Sequence, residues 1–470
     1  MKGTSGISRR GFVKQAAVCA TAAAWCGKAF AAPRLKPRGE RLNLGVIGTG
    51  GQGRNNWRDM LGGGSVHVQA FCDVDATKLD EAKEWYVQQQ RTPDFNTYSD
   101  YRQMLEKEKG LDVVVVSTPD HTHARAAIMA MRQGCHVYVE KPLVRTIWEA
   151  RYFGKVAREC GVFTQMGNSC SPMEGLRRGA EILRSGVLGN IGAVYAWVDR
   201  PEISPGNKWG WKQPVPRPEG ADPVPQELNW DVWMGTAPER PFKKDVYHQI
   251  AWRAFHDFGT GALGDMGCHT LNLAFRGLEL GAVVSAEAVD VSERVEGSFP
   301  RFSVVRLDFA ARGDRPPVSV YWHDGYKKPS AELMPQVVAT MGGVPGCGCL
   351  FIGDKGILFS AGTNGDINYI ALAGEPKLRS IDKHEACLNI PKSLPRVNCG
   401  HRQEFINACR GEGKPFSDID HSVPFVESVL LGSLAQRVPG KIKWDASECM
   451  SDNALVNTLI KPHIRAGWEF

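Results

Sequence analysis

After its first thirty residues, the chain has no apolar run as long as the roughly 18 to 20 residues that cross a bilayer. It also lacks internal repeats, and its thirteen cysteines include no paired C-x-x-C sets of the kind that hold zinc. These absences argue against an integral membrane protein, a repeat protein and a zinc-binding module. We therefore predict no metal site, and we interpret Cys347-Gly-Cys349 as a loop feature.

The composition is that of an ordinary globular protein. The chain has 470 residues, of which 43% are hydrophobic and 23% charged, which is enough for two domains of typical size. Its formal charge of +6 falls to +1 without the five basic residues that precede position 32. The basicity therefore predicts no nucleic-acid partner.

The first 31 residues have the pattern of a twin-arginine export signal. Arg9 and Arg10 stand just before Phe12, an apolar alanine-rich stretch follows at 16–24, and Ala29-Phe30-Ala31 provides small residues at cleavage-site spacing. The alternative is a basic helix without an export role. We expect recognition by the twin-arginine machinery and a periplasmic or otherwise exported protein, because this route carries folded proteins that have already bound a nucleotide.

Strand and helix patterns alternate from Leu42 onward, after a Pro/Arg-rich linker at 32–41. Apolar runs predict strands at 42–47, 66–72, 113–116 and 136–139, and helices are predicted at 54–61, 76–90, 100–108 and 123–132. Strands that are apolar throughout, alternating with helices, are typical of a parallel sheet covered on both faces. We predict a doubly wound Rossmann domain over 42–165.

The pattern changes in the second half of the chain. Segments 193–198, 302–309, 318–322 and 350–352 are predicted strands of an open, mostly antiparallel sheet, in an α+β substrate and oligomerisation domain over 166–398. Between them, 201–241 is an irregular stretch rich in proline and tryptophan. Helices at 402–410 and 423–437 lie in a C-terminal segment, 399–470, that completes the fold.

A glycine motif follows the first predicted strand. Gly48, Gly50 and Gly53 form G-x-G-x-x-G between that strand and a helix, and Asp73 stands 20 residues after the last glycine. Glycines let backbone N–H groups approach a pyrophosphate, and a carboxylate binds the ribose hydroxyls while repelling a 2′-phosphate. The motif predicts NAD binding. Arg54 follows the last glycine and could bind a 2′-phosphate, so NADP is the alternative cofactor. A glycine-rich turn that binds no ligand is the third possibility.

Two further strand ends carry polar residues. Ser117-Thr-Pro-Asp-His-Thr-His123 follows one strand and Glu140-Lys141-Pro142 follows the next. The carboxyl ends of parallel strands meet at one edge of a sheet, so these residues should line one crevice. We assign four of them to the cofactor site, preferring His123 over His121: Thr118, Pro119, His123 and Glu140.

These three motifs, in this order and spacing, resemble the glucose-fructose oxidoreductase and inositol dehydrogenase (Gfo/Idh/MocA) family. The resemblance covers the chain after the signal. It implies that Lys141 contacts the substrate hydroxyl near the nicotinamide and that Pro142 shapes its turn, often through a cis bond. A lysine in such surroundings can transfer protons. The alternative for Lys141 is a solvated surface lysine.

The second half supplies the remaining candidates. Asp265 and His269 in Gly261-Ala-Leu-Gly-Asp-Met-Gly-Cys-His269 resemble a family signature and share one helix face. With Lys141 they are the predicted catalytic residues, His269 as the acid or base and Asp265 orienting it or binding substrate; the alternative is a helix cap and a packed histidine. Asn168 and Arg253 are predicted substrate contacts. Tryptophans 197, 209, 211, 230, 233 and 252 could stack on sugar rings or pack in a core.

These features predict an exported oxidoreductase, forming a homo-oligomer, that oxidises or reduces a secondary hydroxyl of a sugar, cyclitol or glycoside. We expect tightly bound NAD, because the periplasm has no substantial free pool. An NAD-dependent glycoside hydrolase that passes through a transient keto-sugar, at C3 for example, is the alternative. A non-catalytic carbohydrate-binding protein is a third possibility.

Overall fold

The computed structural model describes Lys36 and residues 40–201 and 210–470. The predicted signal peptide, most of the predicted linker and Trp209 lie outside the described residues.

The N-terminal half contains a six-stranded parallel sheet in the order β3-β2-β1-β4-β5-β6. Its strands are β1 Leu42–Ile47, β2 Val66–Cys72, β3 Asn96–Tyr98, β4 Val113–Val116, β5 His136–Val139 and β6 Thr164–Met166. Successive strands pass to opposite sides of β1, which makes the β1–β4 boundary the crevice where ligands bind in such sheets. The predicted Rossmann fold is confirmed.

Helices cover this sheet. They are α1 Gly51–Leu61, α2 Ala76–Gln90, α3 Tyr101–Lys107, α4 Asp120–Arg132 and α5 Ile147–Cys160. Helix α1 begins three residues before the predicted start, and so does α4, because each polar loop forms the first helical turn itself. Thr146 and Glu149 form a reciprocal capping box that fixes the start of α5, after the turn that contains Lys141.

The second domain is built on a ten-stranded sheet in the order β14-β13-β12-β11-β7-β10-β9-β8-β15-β16. Its strands are β7 Ile191–Trp197, β8 Val283–Val291, β9 Ser303–Phe309, β10 Val318–His323, β11 Gly348–Gly353, β12 Gly356–Ala361, β13 Ile367–Leu372, β14 Arg379–Ser380, β15 Ile442–Asp445 and β16 Met450–Ser451. Only the β7–β10 pair among these is parallel. The mostly antiparallel sheet is confirmed.

Nine α-helices are described in this half, and one of them packs against helices of both domains. They are α6 Glu174–Arg184, α7 Trp230–Met234, α8 Gly261–Thr270, α9 Asn272–Leu278, α10 Pro335–Met341, α11 Glu385–Leu388, α12 His401–Cys409, α13 Ile419–Ala435 and α14 Ala454–Ile460. Helix α13 packs against α5 of the Rossmann domain and against α8. It therefore connects the helix that follows the Lys141 turn with the helix that contains Asp265.

The C-terminal segment contributes to both domains. Phe405 and Ile406 of α12 are buried in the core formed by strands β1 and β2 and helix α1, whereas β15 extends the ten-stranded sheet beside β8. No helix within the described residues is both long and apolar enough to cross a membrane.

The described tryptophans of the irregular segment pack in a core. Trp211, Trp230, Trp233 and Trp252 are each at most 7% exposed and share one aromatic cluster, whereas Trp197 is fully buried in a separate cluster against the ten-stranded sheet. Trp230 and Trp233 stack on each other and Trp197 stacks on Phe359, and all five side chains are buried, so sugar stacking on them is corrected to core packing.

Candidate active site

The glycine loop between β1 and α1 is shaped by close backbone contacts. Gly48 has a φ of +87°, and a Cβ on it would lie 2.5 Å from the Ser117 carbonyl oxygen at the end of β4. A Cβ on Gly53 would lie 2.1 Å from the carbonyl oxygen of Gly48. Any side chain at either position would push the loop away from the crevice.

The start of helix α1 is open toward this crevice. Gly50 is its N-cap and provides no side-chain cap, and the first turn contains no acidic residue. Gly51 has a φ of +49°, and a Cβ there would meet nothing within 4 Å. Uncapped N–H groups at a positive helix end fit the pyrophosphate of a dinucleotide.

Asp73 lies at the end of β2, next to this loop. Its Oδ2 accepts hydrogen bonds from the backbone N–H of Thr49 at 2.7 Å and from the Thr49 hydroxyl at 2.9 Å, and its Oδ1 accepts one from the Asp75 N–H at 3.0 Å. Burial raises the pKa of the Asp73 carboxyl, and these bonds oppose the rise. Asp73 therefore holds the loop as well as occupying the position predicted for ribose binding.

Lys141 forms the centre of a charged cluster at the end of β5. Its Nζ donates to Oδ1 of Asp265 at 2.5 Å and to the Asp265 carbonyl at 2.9 Å, and Nε of Arg253 donates to the same Oδ1 at 3.1 Å. The side chains of Lys141 and Asp265 are 14% and 11% exposed. Lys141 is thus not a solvated surface lysine, and its peptide bond to Pro142 is cis, as the resemblance implied.

Two cations share one carboxylate in this cluster. Burial alone would raise the pKa of Asp265, but the charges and hydrogen bonds of Lys141 and Arg253 lower it well below its usual range. Asp265 sits in the middle of α8, so it does not cap the helix. The cluster keeps one net positive charge where a substrate oxygen could be bound.

Helix α8 is held next to the Rossmann crevice by Thr260, its N-cap. The Thr260 hydroxyl donates to Oδ2 of Asp120 at 2.7 Å. A Cβ on Gly264 would lie 1.9 Å from that hydroxyl oxygen, so the glycine leaves room for the bond. Burial raises the pKa of Asp120 to about 7, and the nearby Arg253 and Lys141 charges oppose the rise.

Asp120 and Thr260 were not among the predicted site residues. Both stand inside or beside motifs that were recognised, the Ser117–His123 turn and the glycine-rich start of α8. Asp120 stands in the turn before the predicted helix start at His123, and a single acidic residue at that place has no distinctive pattern in the sequence.

His269 is the last predicted catalytic residue, one turn after Asp265 on α8. Burial, and then the Lys141 charge, lower the pKa of its imidazole to about 3, so the ring is neutral at physiological pH. Its Nδ1 is buried and has no hydrogen-bond partner among the residues described. A neutral imidazole can accept a proton from a hydroxyl group.

Several predicted cofactor contacts have structural partners instead. His123 is 0% exposed, and its Nδ1 and Nε2 lie 3.0 Å and 2.8 Å from the carbonyl oxygens of Pro142 and Thr118. It links the two strand-end turns from behind. Contact between His123 and the cofactor is therefore corrected to a bracing role; Thr118 and Pro119 remain partly exposed at the end of β4.

Glu140 is likewise buried beneath the crevice. Its Oε1 accepts from the Asn56 amide at 2.9 Å and its Oε2 from the Lys141 N–H at 3.1 Å. Arg402 of α12 donates to the Asn56 amide oxygen at 3.0 and 2.8 Å, so the C-terminal segment supports this network. Glu140 therefore positions Lys141 rather than facing the cofactor.

Of the predicted substrate contacts, Arg253 lies in the cluster and Asn168 lies just after β6. The Arg253 guanidinium is partly exposed and stacks 4.2 Å above the Trp252 ring. Asn168 is fully buried, and neither its amide nitrogen nor its amide oxygen has a partner in the described part of the chain. Substrate contact by Asn168 stays a prediction.

Comparisons with known proteins support the nucleotide site. Residues 42–168 match the model of the NAD-binding Rossmann fold of the Gfo/Idh/MocA oxidoreductase family, and residues 189–276 match its C-terminal alpha/beta domain. The WlbA dehydrogenase of Bordetella pertussis, solved with NADH and UDP-GlcNAcA, has 16% identity and a TM-score of 0.58, covering 86% of this chain and 99% of that one. The aldose-aldose oxidoreductase of Caulobacter crescentus, solved with glycerol, has 16% identity and a TM-score of 0.55 over 86% and 100% of the two chains. At this identity both show the fold alone.

A glycosyl hydrolase family 109 protein of Shewanella sp. (strain ANA-3) is 32% identical over 166 residues, which is 33% of this chain and 35% of that protein. The chain thus matches about a third of the length of such curated relatives. Together, the two domain matches in this order and the geometry of the glycine loop show that the chain contains the NAD-binding domain and the C-terminal domain of the Gfo/Idh/MocA oxidoreductase family.

Proposed function

We propose that this protein is an NAD-dependent oxidoreductase that interconverts a secondary hydroxyl and a ketone on a sugar, cyclitol or glycoside. The observation that carries the proposal is the Lys141–Asp265–Arg253 cluster, which lies at the end of β5 and has the neutral His269 on the same helix as Asp265. Bound NAD would supply the hydride acceptor.

Each residue of the site has a separate role in the proposed reaction. The Lys141 ammonium donates a hydrogen bond to the substrate oxygen, and Asp265 and Arg253 hold that ammonium in place. His269 accepts the hydroxyl proton, because its imidazole is neutral at physiological pH and its Nδ1 has no hydrogen-bond partner among the described residues. As the C–H hydride leaves for the cofactor, the positive cluster stabilises the negative charge that develops on the oxygen.

Export and oligomerisation belong to the same proposal. The paired Arg9 and Arg10 with the alanine-rich stretch support twin-arginine export to the periplasm, where we expect NAD to stay bound through repeated turnover. Exposed apolar side chains on the ten-stranded sheet, among them Val284, Val289 and Ile367, support a homo-oligomer formed through that sheet. Cell fractionation of a double Arg9→Lys, Arg10→Lys variant and sedimentation of the purified protein test these two points.

An NAD-dependent glycoside hydrolase is the second candidate, favoured by the family 109 relatives. In that reaction, oxidation at C3 acidifies the C2–H bond, loss of that proton expels the aglycone from C1, and water addition with return of the hydride gives the free sugar. The net result is hydrolysis without net redox change. The same cluster would perform the first step.

One experiment separates the candidates. The purified protein is denatured and the released nucleotide identified by mass spectrometry, and the intact holoprotein is then given a panel of sugars and aryl glycosides. Bound NAD with a keto-sugar product supports the oxidoreductase, and bound NAD with released aglycone and no net reduction supports the hydrolase. A protein that holds no nucleotide and binds neither added NAD nor NADP contradicts both.

A further inference from the structure

A small cavity lies next to the candidate active site, on the far side of helix α8's first turn. It has a volume of about 30 Å³ and lies between the start of α5, the segment before α8 and the C-terminal end of α13. Thr260 contacts both regions, because its hydroxyl donates to Asp120 whereas its carbonyl accepts from the Ser433 hydroxyl at 3.2 Å. The cavity contains none of the proposed catalytic residues.

The charged side chains that line this cavity are two arginines. Arg145 and Arg437 both contribute to its wall together with His256, and no acidic residue lines it within the described chain. Among residues 40–201 and 210–470, neither arginine has a carboxylate within ion-pair distance. Two partly buried guanidinium groups in one wall repel each other unless a negative charge lies between them.

Two buried polar atoms in the wall also lack hydrogen-bond partners. Nε of Arg145 and Nε2 of His256 are buried, and neither atom has a hydrogen-bond partner in the described part of the chain. Among the described residues, the Arg145 guanidinium makes one hydrogen bond, from Nη1 to the His256 carbonyl oxygen at 2.9 Å. A buried guanidinium N–H without a partner, such as Nε of Arg145, is uncommon in folded proteins, and it points to an acceptor that binds from outside.

Protein carboxylates act on Arg145 but not on Arg437: the charges of Glu149 and Asp120 both oppose the fall in the pKa of Arg145 that burial causes. Glu149 attracts the Arg145 guanidinium, and its Oε2 already accepts the backbone N–H groups of Arg145 and Thr146 at 3.1 and 2.9 Å. Arg437 has no such partner: burial and the Arg145 charge lower its pKa to about 10, and no acid opposes them. The cavity therefore has an excess of positive charge and of N–H donors.

We propose that this cavity is a binding site for one small oxyanion, a carboxylate or phosphate group, held between Arg145 and Arg437. A volume of about 30 Å³ exceeds the roughly 10–15 Å³ that a single buried water needs. Guanidinium forks bind carboxylate and phosphate oxygens in pairs. The bound anion would tie α5, the segment before α8 and α13 together beside the active site, without touching the reacting atoms.

The test uses Arg437→Gln in the full-length holoprotein, with Arg301→Gln as the matched control because the Arg301 side chain is 63% exposed and does not line the cavity. Binding of inorganic phosphate and of formate is measured by isothermal titration calorimetry, and the melting temperature is measured in an anion-poor buffer and after addition of each probe. We expect the wild type and Arg301→Gln to bind one probe anion per chain and to melt a few degrees higher with it. Arg437→Gln should lose both effects.

The anion-poor buffer gives an independent comparison. Without a bound anion, removal of one of two repelling charges should leave Arg437→Gln at least as stable as the wild type, and added anion should reverse that order. A melting temperature that falls equally in both buffers would make Arg437 a structural residue and overturn the proposal. Absence of a bound anion in the wild type, which would leave a water-filled cavity, would overturn it as well.

Discussion

Replacing Lys141 by methionine tests the centre of the candidate site. Methionine nearly matches the length of the lysine stem but removes the ammonium that Asp265 binds at 2.5 Å. Arg253 stays 3.1 Å from the same oxygen, so the buried carboxylate keeps one cation. Because loss of a hydrogen bond to a charged group costs about 1.5–3 kcal/mol, we expect the free energy of unfolding to fall by about 2–3 kcal/mol.

Turnover should fall much further than stability. Loss of one hydrogen-bond donor to a developing oxyanion lowers rates by about 10²–10³-fold, and NAD binding should be unchanged because the glycine loop is untouched. The assay is steady-state turnover on the substrate found in the panel, alongside nucleotide titration and unfolding in guanidinium chloride. Lys155→Met is the control, since Lys155 on α5 is 66% exposed. A drop of less than about tenfold at Lys141, or an equal drop at Lys155, would refute the assigned role.

Three further substitutions test other parts of the site. Gly53→Ala should abolish NAD binding in a calorimetric titration, because its Cβ would lie 2.1 Å from the Gly48 carbonyl oxygen; retained affinity would contradict the tight loop. The folded-state pKa of His269, about 3, lies below its unfolded value, so the wild type loses stability as the pH falls from 6.5 to 3. This group contributes up to about 1.4 kcal/mol per pH unit to that loss. His269→Gln should therefore make the free energy of unfolding fall less steeply over the same pH range. Urea unfolding at three pH values measures the slope, and an unchanged slope counts against a buried neutral ring. Thr260→Val should raise the pKa of Asp120 above about 7 in a carboxyl NMR titration, because the hydrogen bond from the Thr260 hydroxyl lowers that pKa in the wild type and valine cannot make it. A lower pKa of Asp120 in the variant would contradict the contact.

The Rossmann half could be predicted closely from sequence because its signals are local. Buried parallel strands are continuous apolar runs, and a strand such as Val113–Val116 leaves little ambiguity. The place of the candidate site also follows from the sequence, because Lys141 and Thr118 stand just after the ends of predicted strands. The errors of three residues at the starts of α1 and α4 arise where polar loop residues form a first helical turn.

Contacts between distant segments could not be predicted in this way. The assignment of His123 to the cofactor was wrong because its two ring nitrogens meet backbone carbonyls of turns that follow different strands. Glu140 depends on Asn56 and, through it, on Arg402, which is more than 250 residues away along the chain. The described tryptophans of the irregular segment were consistent with a sugar site by composition, but their burial depends on how that segment folds back on itself.

The two proposed chemistries share the residues of the site and the first chemical step. Both begin with removal of a hydroxyl proton and a hydride, so Lys141→Met and His269→Gln should suppress sugar oxidation and aglycone release together. They differ only after the ketone exists, when the C2 proton must be taken by a base if the aglycone is to leave. A variant that keeps oxidation but loses aglycone release would identify that second base, and the buried Asp120, with a pKa raised to about 7 and bonded to Thr260, is the first residue to substitute. If Asp120→Asn lowers both activities equally, Asp120 positions helix α8 and the second base lies elsewhere.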